Sequence, residues 1–301
     1  MALTECVCTV DRQGRELVVH GTPQFPIACY HDDFSRANLP WHWHEELELA
    51  ILTEGTAVMA AGNEKFTLNP GDGIFVNSGI LHAAWDLKGS CCRFHSIVFH
   101  SRLVGGSQDS IYHQDYILPL IRNKAMECLF LSPDTPWQKS VLEAIEETWQ
   151  ACVQEPAGYE FQVRDVLSRL IFHLHSHMPK SGQLPGPKTL RDAQRIKTML
   201  SCIHTRFGEE LTAAQIAASA MVSDSECLRC FRATIGTTPI QYLKQYRIQR
   251  AAEQLTGTTD RISDIAARCG FQDMSYFTRS FREELGCTPS QYRKQAAHQL
   301  E

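Results

Sequence analysis

The chain has 301 residues, 43% of them apolar and 21% charged, with a formal net charge of −5. This composition describes a globular protein with room for two domains and excludes a mainly disordered, coiled-coil or collagen-like chain. No run approaches the roughly 18 uninterrupted apolar residues of a membrane span, so none is expected.

The opening residues, Met1 to Glu5, lack the basic region and apolar core of a secretory signal, so a cytoplasmic, reducing location is expected. The 12 cysteines form no regular disulfide framework. Cys6 with Cys8, and Cys91 with Cys92, are too few for a zinc site; Cys227 and Cys230 have redox or zinc spacing but no second pair. They read as small buried or half-buried helix residues. Charge is uneven: residues 1–187 hold 13 Lys/Arg against 22 Asp/Glu, and residues 188–301 hold 16 against 12. A basic C-terminal third hints at a polyanionic partner.

Residues 17–100 read as short strands. Leu47, Leu49 and Ile51 alternate along one, Ala57–Ala61 forms another, and Phe66 and Leu68 precede the turn signal at residues 69–73. Ile74 to Val76 and Phe94 to Phe99 continue the pattern, which fits a sandwich or a small barrel. The period then changes. Val141, Leu142, Ile145 and Trp149 mark a helix from Trp137 to about Gln154, broken at residues 155–158. Phe161, Val166, Leu167, Leu170, Ile171 and Leu174 mark a second. These helices either complete the β domain's core or supply a homodimer seam. Residues 179–187, with three prolines and two glycines, read as a linker.

An internal repeat follows. Ile216, Met221, Phe231, Gly236, Pro239 and Tyr242 return as Ile265, Gly270, Phe281, Gly286, Pro289 and Tyr292, offset by 49 residues at first and by 50 from the phenylalanine onward. A short helix with small alanines, a tight turn and a second helix make a helix-turn-helix, here present twice. In the second copy Tyr276, Phe277 and Phe281 are expected to supply the buried face. Helical solenoid repeats need more copies at one period.

With this tail present twice, residues 190–295 resemble the DNA-binding domain of the AraC/XylS family of bacterial transcriptional regulators. The resemblance implies seven helices, a long connector at Tyr242–Leu255, and the second helix of each unit in the major groove. The groove-facing candidates are Ser223, Ser225, Leu228, Arg229 and Arg232 in the first unit, and Asp273, Met274, Ser275, Thr278, Arg279 and Arg282 in the second. Arginine pairs with guanine edges, and Leu, Met or Thr methyls meet thymine methyls. Met221 stands where the turn glycine is expected, and Cys227 where a leucine usually fills the core. A left-handed non-glycine residue costs about 1–2 kcal/mol, so the first turn is either strained or not left-handed.

His42, His44 and Glu48, then Gly55, and later Gly71, Asn77, Gly79 and His82, resemble the two cupin motifs. Asn77 replaces the usual proline and Asp86 the usual asparagine. His42, His44 and Glu48 share strand parity and therefore one face, with Trp41 and Trp43 on the other. Three imidazoles and a carboxylate suit Zn, Fe, Mn or Ni as divalent ions; metal-free hydrogen bonding of a ligand and a purely structural role stay open beside that.

The expectation is therefore a two-domain α+β protein. An N-terminal cupin-like β-barrel with accessory helices is followed by a C-terminal all-α domain with two helix-turn-helix units. Residues 1–135 form the ligand-sensing domain, 136–178 the helical dimerisation segment, 179–188 the linker and 189–301 the DNA-binding domain. The function expected is sequence-specific binding of double-stranded DNA as a homodimer, controlled by a small-molecule effector such as a sugar at His42, His44, Glu48 and His82. The resemblance implies an activator, whose further partner would be RNA polymerase, and no membrane is involved. A cupin metalloenzyme, an isomerase or dioxygenase, and a constitutive architectural DNA protein are the alternatives.

Overall fold

The computed structural model describes residues 3–4, 15–34, 38–62, 64–87, 91–179 and 187–298. Most of the expected linker lies outside the described residues, as do Cys6 and Cys8. The chain forms two compact units, one built on Arg15–Ala193 and the other on Gln194–Glu301.

Among the described residues the first unit contains ten strands: β1 (Leu3–Thr4), β2 (Ile27–Asp33), β3 (Leu39–His42), β4 (Leu47–Glu54), β5 (Ala57–Ala61), β6 (Glu64–Leu68), β7 (Gly73–Val76), β8 (His82–Asp86), β9 (Arg93–Phe99) and β10 (Cys128–Leu131). Its helices are α1 (Arg102–Gly105), α2 (Leu118–Arg122), α3 (Pro136–Gln154) and α4 (Tyr159–Ser176), with a π-helical run at Tyr112–Ile117 before α2. The strands make a six-stranded sheet in the order β1-β2-β9-β4-β7-β10 and a four-stranded sheet in the order β3-β8-β5-β6. Among the described residues no ladder joins one sheet to the other, so β1, β10, β3 and β6 remain edges.

This corrects the expected barrel: the sheets are open and stacked as a sandwich. The reason lies in β4, where six consecutive residues from Leu47 to Leu52 are buried. Leu47, Leu49 and Ile51 pack with Val141, Ile145, Val166 and Leu170 from α3 and α4. Ala50 and Leu52 face the other way, onto Ala57, Met59, Leu68 and Ala84 of the four-stranded sheet. Here both faces of the large sheet are covered, giving a helix–sheet–sheet stack in which each buried Leu or Ile contributes roughly 1.5–3 kcal/mol. Phe161 departs from its expected place on the buried stripe of α4 and is 83% exposed.

Among the described residues the second unit, with α5 entering it across the boundary at Ala193, shows the seven helices that the family resemblance implies: α5 (Pro187–Arg206), α6 (Ala213–Ser219), α7 (Asp224–Thr234), α8 (Pro239–Gly257), α9 (Ile262–Arg268), α10 (Met274–Leu285) and α11 (Pro289–His298). Caps explain the boundaries. Thr212 and Thr238 form capping boxes with Gln215 and Gln241, and Pro239 opens α8. Ser223 and Asp273 accept from the backbone N–H groups of Glu226 and Tyr276, and Gly286 ends α10 in a left-handed conformation.

The two turns share a conformation despite different residues. Gly270 has φ +80°, and a Cβ there would lie 2.6 Å from the Phe207 carbonyl oxygen and 2.9 Å from Arg247. Met221 has φ 53° and its side chain is 93% exposed. The first unit therefore keeps the left-handed turn and carries its strain. Arg247, on connector helix α8, donates from Nε to Phe207 O at 2.7 Å and from Nη2 to Glu209 O at 2.6 Å. Ile248, Ala251, Ala252 and Leu255 of α8 pack with Ile265, Phe271, Phe277 and Phe281 of the second helix-turn-helix. Cys227 and Cys230 are buried on the inner face of α7; burial and the neighbouring Cys230 push the Cys227 thiol up to about 11.

Candidate functional site

The reading helices expose a polar side because their apolar residues recur at three and four positions. Cys227, Cys230 and Phe231 turn α7 inward, and Phe277, Ser280 and Phe281 do so for α10. Ser223, Ser225 and Arg232 are left exposed, with Leu228 and Arg229 half-buried. In α10, Met274, Ser275, Arg279 and Arg282 are exposed and Thr278 is half-buried, while Asp273 caps the helix. Tyr276, expected on the buried face, is 50% exposed. Met274, Ser275, Thr278, Arg279 and Arg282 line one open cleft of about 750 Å³ together with Glu283 and Thr288.

The two arginines at matching positions differ. Glu226 receives Nε and Nη2 of Arg229, both at 2.8 Å, and Nη1 of Arg195 at 2.9 Å. Tyr276 occupies the equivalent place in α10, and among the described residues Arg279 makes no ion pair. Glu226 was absent from the sequence candidates, although its three-residue spacing from Arg229 is a readable helix pair.

The cupin-like residues form a second, buried group. His42 on β3 lies directly across from His82 on β8, Glu48 comes from β4, and His44 from the connection between β3 and β4. All four are at most 5% exposed, and one donor atom from each lies within 4.8 Å of the others. His44 Nε2 is 3.0 Å and His82 Nε2 2.9 Å from Glu48 Oε2. The other ring nitrogens are held by backbone: Nδ1 of His42 donates to Pro40 O at 2.9 Å, that of His82 to Ile80 O at 2.8 Å, and that of His44 to Glu46 O at 3.2 Å. A carbonyl only accepts, so these bonds place hydrogen on Nδ1 and turn Nε2 toward the centre.

Two further residues complete the cluster. Glu16 and His20, 8% and 6% exposed, precede β2. Glu16 Oε2 is 3.1 Å from His20 Nε2 and 3.9 Å from His42 Nε2, and His20 Nδ1 bonds the Tyr30 hydroxyl at 2.7 Å. Sequence reasoning missed both, because no motif spacing ties them to the strands. Asn77 plays a bracing part, its Nδ2 donating to Leu120 O and Met126 O, each at 2.9 Å. Trp41 is buried; Trp43 and Trp85 are half-buried, with Lys65 Nζ 4.8 Å above the Trp85 ring.

Burial alone would raise the Glu48 carboxyl, but His82 and His44 outweigh it and hold Glu48 well below the usual range. Burial, joined by His82, lowers His42 to about 4 against the pull of Glu16. Burial would also lower His82, but Glu48 raises it above its ordinary value. At neutral pH the centre thus offers an ionised carboxylate at Glu48 and a neutral imidazole at His42. The donor set fits a divalent transition metal: the Nε2 atoms and a Glu48 oxygen converge, and the Nδ1 atoms are braced as such ligands usually are.

Comparison with known proteins places both units. Residues 24–148 match the family model described as an AraC-like ligand binding domain, and residues 216–295 match a helix-turn-helix domain. The chain is an AraC/XylS-type transcriptional regulator. It is 29% identical over 272 residues to the uncharacterized HTH-type transcriptional regulator YdeC of Bacillus subtilis (strain 168), covering 89% of this chain and 91% of that protein. It is 26% identical to the HTH-type transcriptional activator RhaS of Citrobacter koseri, covering 87% and 91%. A crystal structure of a DNA-binding transcriptional dual regulator from Escherichia coli K-12 is 29% identical, with a TM-score of 0.33, covering 35% of this chain and 93% of that one. The regulator binds DNA and has an effector-binding N-terminal domain. It is not an enzyme, and the isomerase or dioxygenase alternative falls with that finding. Among the described residues no helix is long and apolar enough to cross a membrane.

Proposed function

We propose that this regulator activates transcription as a homodimer that reads double-stranded DNA with α7 and α10 and responds to a small effector at a metal-holding histidine cluster. The observation that carries the reading is the pair of capped helices, each buried by its aromatic or thiol side and exposing Ser225 and Arg232 or Ser275 and Arg282. Arginines on such a face serve either guanine edges or phosphates. The remaining groove candidates, Ser223, Leu228, Arg229, Asp273, Met274, Thr278 and Arg279, belong to the same two turns of each helix.

In the sensor, His42, His44, His82 and Glu48 would hold one Zn, Fe, Mn or Ni ion as a Lewis acid for an oxygen-rich effector, sugars being the first class to screen. The ion's chemistry would be recognition. Residues 1–135 act as the sensor and 189–301 as the DNA reader, a division supported by the unit boundary at Ala193. Residues 136–178 cover the large sheet and present the dimer face: Phe161 and Phe172, three helical turns apart on α4, are 83% and 55% exposed. Contact with RNA polymerase belongs to the activator role, supported by the named activators among the relatives.

Selection of preferred sites from random DNA with the full chain, followed by an effector screen on the enriched fragment, tests the reading. A sequence-selective, salt-dependent complex whose affinity shifts with a small molecule is expected. Binding that is equal on all fragments, or indifferent to every effector and to metal, refutes it.

A further inference from the structure

The two reading helices differ at one position that changes what their matching arginines can do. Glu226 stands three residues before Arg229 on α7, and Tyr276 stands three residues before Arg279 on α10. On α7 the carboxylate takes Nε of Arg229 on Oε2 and Nη2 on Oε1, both at 2.8 Å. This is a two-point fork, the geometry in which an arginine–carboxylate pair is strongest. Nη2 also lies 3.4 Å from Sγ of Cys230, a residue buried on the inner face of the helix. The guanidinium is therefore folded back along α7. Arg229 is half-buried, whereas Arg279 is exposed and lines the open cleft of α10.

An isolated pair of this kind on a helix surface is weak. Glu226 is not isolated. Arg195 of α5 donates from Nη1 to the same Oε1 at 2.9 Å, so the carboxylate is gripped from two helices. Ile196, Met199, Leu200 and Ile203 are fully buried and fix the face that α5 turns to the core. Drawing Arg229 out toward a base would also leave an ionised carboxylate beside the DNA phosphates, a like-charge contact that opposes docking. We propose that Glu226 is a specificity-determining residue that withholds Arg229 from the major groove. The first sub-site is then read by Ser225, Leu228 and Arg232, and the base pair facing Arg229 is left unspecified. The second sub-site keeps a guanine-reading arginine in Arg279. This rests on the assignment of α7 and α10 as DNA readers and adds to it an unequal demand for sequence at the two sub-sites.

The test uses the full chain and selection from a random duplex library, followed by titration of the fragments that wild type enriches. Wild type should leave one base pair of the first sub-site degenerate, and Glu226→Gln should gain about tenfold preference for guanine there. Glu226→Tyr, which copies the residue of α10, should gain the same preference and guards against a defect peculiar to the glutamine variant. In an Arg229→Ala background neither substitution should create the preference. A preference of equal size in that background would overturn the clamp, because loss of the carboxylate alone would then explain it. Unchanged selection in both variants would overturn it too, as would a guanine that wild type selects and Glu226→Gln loses. A wild type that selects no sequence would overturn the assignment of the reading helices and this inference together.

Discussion

Replacing Met221 by glycine should stabilise the DNA-binding unit, an unusual outcome for removing a large side chain. The residue sits at φ 53° in the first turn, and its side chain is 93% exposed, so almost no packing is lost. Relief of the left-handed strain contributes about 1–2 kcal/mol. Greater freedom of glycine in the unfolded chain offsets about 0.4–1 kcal/mol of that. The net gain is about 0.5–1 kcal/mol, or roughly 2–6 °C in Tm for a unit of this size. Gly270→Ala is the counterpart. It meets the same strain at φ +80° and adds a Cβ 2.6 Å from the Phe207 carbonyl oxygen, a backbone atom that Arg247 also holds. A loss of about 3 kcal/mol or more is expected. Scanning calorimetry of the full chain, following the transition of the C-terminal unit, measures both. A destabilised Met221→Gly, or a tolerated Gly270→Ala, would refute the equivalence of the two turns.

Other consequences are open to direct measurement. Arg229→Ala should weaken operator binding less than Arg279→Ala in a gel-shift titration, because Glu226 already engages Arg229; equal or reversed losses would reject the asymmetry. Asn77→Ala strands the Met126 carbonyl and leaves Leu120 O only the Asn123 N–H, which predicts about 1–3 kcal/mol lost from the N-terminal unit in urea unfolding. Zn(II) affinity should rise with pH until His82 is deprotonated, since Glu48 raises the pKa of His82 and the ion must displace that proton. Calorimetry in buffers of different ionisation heat should show proton release on loading.

The repeat made the second unit readable because the same turn, cap and core residues recur; Thr238-Pro239 and Thr288-Pro289 mark helix starts without any tertiary information. The clustered histidines and Glu48 were legible through the motif spacing, but not through strand parity: His42 ends β3 of the four-stranded sheet, Glu48 lies on β4 of the six-stranded sheet, and His44 lies between them. The barrel was misread because alternation in β4 shows that one face is buried and cannot say what covers the other. The helices α3 and α4 decided that. Glu16 and His20 escaped notice because a backbone bridge to Trp43, and no periodicity, delivers them to the cluster. Tyr276 and Phe161 failed as core residues for a related reason: an aromatic at the rim of a helical stripe is assigned by its neighbours' positions.

The forked grip of Arg247 has a meaning for promoter architecture. One side chain of the connector fastens the carbonyls at Phe207 and Glu209 beneath the glycine of the later turn. Tied in this way to the loop before α6 and to the later turn, the connector is expected to act on the two readers as a strut rather than a hinge. An operator with a single base pair inserted between its two sub-sites turns one of them by about 34–36° relative to the other. A rigid strut has no way to follow that rotation, so natural operators of this regulator should keep an invariant distance between the two boxes even where the boxes themselves vary.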